Sequence, residues 1–177
     1  MGAAALLLVA TCSLGTTGCF TLAKQAFHEA VGAKGDVITI SGGPEELSRF
    51  RSVDFKAATT TVNDRLCPPE LRRAYDRSAR QCAAKLAANF PGGEPTLTVA
   101  SEVLYFQKKG LLSGAFMLTR VRMSAETESV IDAILRAESD AFRAGGEDDL
   151  ARASCEALRA FLEQGLSPPA ARSEPRP

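Results

Sequence analysis

The chain has 177 residues, of which 45% are hydrophobic and 24% charged, with 21 Lys and Arg against 21 Asp and Glu. That is the composition of one ordinary folded domain, long enough to bury a core without metal or disulfide staples. A formal net charge of zero lacks the basic footprint that phosphate backbones demand, and having no Trp and only two Tyr removes the stacking platforms of single-strand binders, so no nucleic-acid partner is expected.

No charged side chain occurs from Gly2 to Ala23, and the run from Ala3 to Ala10 is strongly apolar before Thr11, Ser13, Gly15, Thr16, Thr17 and Gly18 take over. An apolar run of about eight residues suits a signal peptide, whereas a spanning helix needs about 20. An uncleaved anchor helix is the alternative, since hydroxyls can bond back to the helix. The segment ends in Thr16-Thr17-Gly18-Cys19, which resembles the lipobox of bacterial lipoproteins: a small residue directly before a cysteine. It departs from that pattern at Thr16, where Leu is usual, and in the lack of an early Lys or Arg. Cys12 fits less well, because Thr11 stands where a smaller residue is required. The resemblance implies cleavage after residue 18, palmitate-type lipid on Cys19 and a partnership with the membrane through that lipid. Several acyl chains give stable anchoring where one is marginal, at about 0.8 kcal/mol per buried methylene. Phe20, in place of the Asp that retains such proteins at the inner membrane, implies an outer-membrane location facing the periplasm.

After Cys19 the apolar spacing of Leu22, Ala26 and Ala30 predicts a short helix that ends at Gly32 and Gly35, so residues 19–35 are read as anchor and linker and 36–165 as one domain. Asp36 to Ile40 is rich in β-branched residues and predicts a first strand. Glu45 to Phe50 predicts a helical turn, Phe50 to Phe55 a half-buried strand continuing toward Ala57, and 59–66 a loop. Pro68-Pro69 opens the clearest helix, with Leu71, Tyr75, Ser78, Cys82, Leu86 and Phe90 at helical spacing and Arg72, Arg73, Arg77, Arg80 and Lys85 on a solvated side.

Beyond Pro91-Gly92-Gly93, residues Thr96 to Phe106 predict a long strand with Leu97, Val99 and Val103 on one face. Its hairpin partner is Phe116 to Met123, in which Phe116, Leu118, Arg120 and Arg122 face one way and Met117, Thr119, Val121 and Met123 the other. Glu128 to Phe142 is ambiguous, because its Ala, Glu, Leu and Arg favour a helix while Ile131, Ala133, Leu135 and Ala137 alternate like a strand. The strand through about Ala137 is preferred, because the turn at Ala125 to Glu128 then makes a short hairpin. Asp148-Asp149 opens a last helix that buries Leu150, Ala153, Ala157, Leu158, Phe161 and Leu162 and stops near Gly165. The Pro-rich residues 166–177 are read as a disordered tail.

The expected architecture is α+β: a two-layer sandwich, a mostly antiparallel sheet of 4-5 strands with two long helices on one face. The layout resembles that of small envelope lipoproteins, including auxiliary lipoproteins of ABC-type export systems, and the resemblance carries over no functional residue except Cys19.

No catalytic, cofactor-binding or metal-binding set emerges. His28 is the only histidine, and zinc needs three or four converging ligands. C-x-x-C, H-E-x-x-H, P-loop and G-x-S-x-G patterns are absent from the sequence. Cys82 and Cys155 lie on or beside apolar faces of two long helices expected to share one face of the sheet, so a disulfide between them is possible, with buried free thiols as the equal alternative; Cys67 is too far along its helix to reach Cys82. The expected function is a non-catalytic binding or assembly component of the envelope with a protein partner; the alternative is a membrane-tethered periplasmic enzyme whose site is built from dispersed residues.

Overall fold

The computed structural model describes residues 33–110, 113–139 and 146–166. The signal segment, Cys19, the helix expected over 22–31 with His28, and the tail from Ser167 lie outside the described residues.

The described residues form six strands and two long helices: β1 (Ala33–Ser41), a 3-10 helix (Pro44–Arg49), β2 (Ser52–Phe55), β3 (Thr59–Thr60), α1 (Pro69–Ala87), β4 (Thr96–Gln107), β5 (Phe116–Ala125), β6 (Glu128–Ser139) and α2 (Glu147–Leu166). The sheet order is β1-β6-β5-β4-β2, with β3 also beside β4. Pairs β1/β6, β6/β5 and β5/β4 are antiparallel, while β2 and β3 run parallel to β4, so β2, α1 and β4 make a β-α-β crossover. The class is the α+β two-layer architecture read from the sequence. The sheet has six strands rather than 4-5, because Thr59 and Thr60, read as loop, pair with Glu102 and Val103 and extend the β2 edge.

Alternation decides which face of each strand is covered. Leu97, Val99, Val103, Met117, Thr119, Val121, Met123, Ile131, Ala133, Leu135 and Ala137 are buried and share the helix side. Glu128–Ser139 is a strand despite its helix-favouring residues, because only the extended form puts Ile131, Ala133, Leu135 and Ala137 on that one side. Its hairpin to β5 turns at Glu126, which takes a left-handed φ of 51°.

Both helices lie on this face, each with one apolar side. Leu71, Tyr75, Cys82, Leu86 and Phe90 are buried from α1 and the residues just after it; Leu150, Leu158, Phe161 and Leu162 are buried from α2. Phe90 packs from beyond the helix, which ends at Ala87. The helices run in the same direction, as the ion pairs along their seam record: Arg77 Nη2 to Asp148 Oδ1 at 2.6 Å and Lys85 Nζ to Glu156 Oε1 at 2.7 Å.

The first strand begins at Ala33, three residues before the expected Asp36, and so includes Gly35, which was read as a helix stop. A Cβ at Gly35 would stand 2.1 Å from the Ala153 carbonyl oxygen and 3.0 Å from Ala157 Cβ. This glycine serves close approach of α2 to the sheet rather than chain termination.

Leu86 and Leu158 are each 1% exposed or less. Truncating either to Ala should cost about 2–5 kcal/mol in urea unfolding of the full chain, whereas Arg77→Ala, on the exposed seam, should change stability by less than about 0.5 kcal/mol. Equal midpoints for the leucine variants and the parent would contradict the packing described.

Candidate functional site

With both helices on one side, the opposite side of the sheet has no covering layer among the described residues. Cross-strand rows on it read Ile38, Ile134, Arg120, Glu102 and, beside that, Asp36, Arg136, Leu118, Tyr105. Ile134, Leu118 and Phe116 are half-buried there, and Tyr105 is 37% exposed. The surface therefore mixes apolar side chains with charges that neighbouring strands hold in place.

The charges are organised. Arg120 donates through Nε at 2.9 Å and Nη2 at 2.5 Å to the two oxygens of Asp132, a planar two-point fit that a guanidinium and a carboxylate make well. This hydrogen bonding holds the Asp132 carboxyl below the ordinary carboxylate value. Arg136 pairs with Glu138 at 2.5 Å and lies 5.7 Å over the Phe116 ring, whose centroid is 6.2 Å from that of Tyr105.

At the β1 edge the surface is most apolar. Ile38 is 49% and Ile40 58% exposed, and the register shifts between Thr39 and Ser41 so that Ile40 has no partner on β6. The outer side of β1 has no paired strand among the described residues. An edge of nine residues carrying exposed isoleucines is a template for another chain.

The interior holds the remaining sequence candidates. Cys82 and Cys155 are brought together at the helix seam, where the Cys82 thiol donates to the Cys155 carbonyl at 3.3 Å; both are buried free thiols, as is Cys67. Tyr75 reaches from α1 to the sheet, and its hydroxyl donates to Ser101 Oγ at 3.1 Å. Among the described residues no three His, Cys, Asp or Glu converge as a metal site, and no helix is long and apolar enough to cross a membrane. Sequence reasoning placed Phe116, Leu118, Arg120 and Arg122 together on one side. It missed the Arg120–Asp132 pair and the exposed edge, because both follow from which strands are neighbours.

No protein-family model and no curated protein matches the chain. Its fold is similar to that of PelC. The solved PelC dodecamer from Paraburkholderia phytofirmans superimposes with a TM-score of 0.51 at 13% identity, covering 72% of this chain and 97% of that one. A PelC variant dodecamer from the same organism gives 0.48 at 14% identity over the same shares.

The buried thiols make stability depend on pH. Burial pushes Cys82 from its ordinary 9.0 up to about 12, and burial raises Cys155 and Tyr75 as well. Above pH 9 the unfolded chain releases a thiol proton that the folded chain keeps, so this contribution is fully present below pH 9 and is lost as pH rises toward about 12. The unfolding free energy from urea titrations should fall over that window with a slope of about 1.4 kcal/mol per pH unit for each thiol, and Cys82→Ala should flatten it by about one thiol's share. A slope unchanged by that substitution would contradict the burial of Cys82.

Proposed function

We propose that the chain is a lipid-anchored protein of the bacterial envelope that acts by assembly, its β1 edge docking on a second copy of itself. The observation that carries this reading is the nine-residue edge strand with Ile38 and Ile40 exposed at 49% and 58%. Exposed edges are liabilities that monomeric proteins blunt with charge, Pro or a covering element, and from Val37 to Ser41 this one carries none of these among the described residues. The Thr16-Thr17-Gly18-Cys19 motif supports the anchor. The dodecameric state of PelC supports a copy of the chain as the partner, since the two share a fold. Tethering on a membrane favours such assembly further, because it holds the edges of neighbouring copies at high local concentration. In this reading the domain is non-catalytic, and it faces the periplasm from the outer membrane.

Two variants separate anchor from assembly. Cys19→Ser should move the chain from the detergent phase to the aqueous phase; a variant that stays with detergent would contradict the lipid anchor. In sedimentation velocity the parent should run as an oligomer, and Ile38→Lys with Ile40→Lys should weaken association by roughly tenfold or more while circular dichroism stays the same. A parent that sediments as a monomer would contradict assembly through this edge.

A further inference from the structure

If β1 takes a second copy of the chain, it meets either the far edge of that copy's sheet or that copy's own β1. The two differ in what they offer. At the far edge β2 has four residues and β3 two. The link between them is tied down, with the Lys56 N–H donating to the Val99 carbonyl at 2.9 Å and the Ala58 N–H to Asp76 Oδ1 at 2.8 Å. Joined head to tail, the nine residues of β1 would meet a strand of four, and most of its outer row of N–H and C=O groups would stay unpaired. A second β1 matches it in length.

We infer, resting on the proposed assembly through β1, that the interface is isologous: β1 pairs antiparallel with β1 of the second copy about a twofold axis at Ile38, which closes a dimer around one continuous sheet. Parallel pairing of the same two strands would put the helix layers of the copies on opposite faces. Antiparallel pairing forms the stronger ladder and keeps both helix layers on one face. There α2 packs on β1 and β6 together. Set over the middle of that pair, the α2 helices of the two copies stand two strand spacings apart, roughly 10 Å, a distance at which helices pack. The α2 residues that meet Gly35 on β1 are Ala153 and Ala157, small enough for such an approach. Side chains on the open face fix where the axis falls. Asp36 is the only acid on β1, and an axis there would oppose two carboxylates. An axis at Val37 would set Asp36 against Ile38. One at Gly35 would set Lys34 against Asp36 twice but carry Ile38 past the start of the other strand, and exposed ion pairs stabilise less than burial of isoleucine does. An axis at Ile38 sets two half-exposed isoleucines against each other and pairs Val37 with Thr39 on either side.

The test measures spin-label distances in the full chain in detergent, with the label at Ile134→Cys, the β6 position that pairs with Ile38 and leaves β1 itself unaltered. Cys67, Cys82 and Cys155 are buried, and the parent taken through the same labelling is the control. In the isologous dimer the two labelled backbone positions lie three strand spacings apart, about 14 Å, whereas in a head-to-tail assembly they lie five spacings apart, about 24 Å. One short distance is expected. In a second variant, Ile38→Cys, mild oxidation should give a covalent dimer that the parent does not give, because a twofold axis brings this residue to its own counterpart. Labels at about 24 Å would overturn the inference while leaving assembly through β1 standing, and so would an Ile38→Cys chain that sediments as an oligomer but forms no covalent dimer. A parent that stays monomeric would overturn the assembly and this interface together.

Discussion

The α2 helix lies directly on the backbone of β1, and the contact at Gly35 makes that possible. The Ala153 carbonyl occupies the space where any other residue would carry its Cβ. From this contact α2 reaches three ways: to the sheet through Leu158 and Leu162, to α1 through Cys155 and the Lys85–Glu156 pair, and to the 3-10 helix through Gly165, against which Leu47 and the Pro44 carbonyl pack. The helix therefore holds the β1 edge, the crossover helix and the 3-10 helix in one layer. Among the described residues two helices cover one face and no element covers the other.

That asymmetry is what gives the domain something to present. A sheet covered on both sides would offer only its edges, but here a mixed apolar and charged surface is held rigid by cross-strand hydrogen bonds and by the Arg120–Asp132 pair. The two edges differ in kind. At β1 the strand is long and carries exposed isoleucines, whereas at β2 and β3 it is short and is broken at Lys56 to Ala58. In the proposed reading the β1 edge takes a second copy of the chain, and a lipid at Cys19 would hold it at a membrane surface.

Much of the fold was legible in the sequence because burial on one face writes a period of two. Leu97, Val99 and Val103 could be put on one face, and Met117, Thr119, Val121 and Met123 separated from Leu118, Arg120 and Arg122, from alternation alone, and β6 followed once a short hairpin was preferred over helix propensity. Residues whose state is set by distant partners were not legible. Gly35 looks like a helix stop in isolation, and only the arrival of α2 explains it. Thr59 and Thr60 become a strand because β4 passes beside them. Adjacency of Cys82 and Cys155 was readable from the two apolar stripes. Exposure of Ile38 and Ile40 was not, since it requires knowing that β1 pairs with β6 and has no second neighbour among the described residues.

Substitution of Gly35 by Ala tests the account most directly, because the general and the specific expectations have opposite signs. Gly35 does not have the left-handed backbone that would demand glycine, so alanine should stabilise an ordinary strand position by roughly 0.5–1 kcal/mol. Here its Cβ would meet the Ala153 carbonyl at 2.1 Å and force α2 off the sheet. The account predicts a loss of at least about 1–3 kcal/mol in urea unfolding, the range for overpacking. A Gly35→Ala chain as stable as the parent, or more so, would show that α2 does not lie on β1 as described and would remove the basis for one covered and one open face.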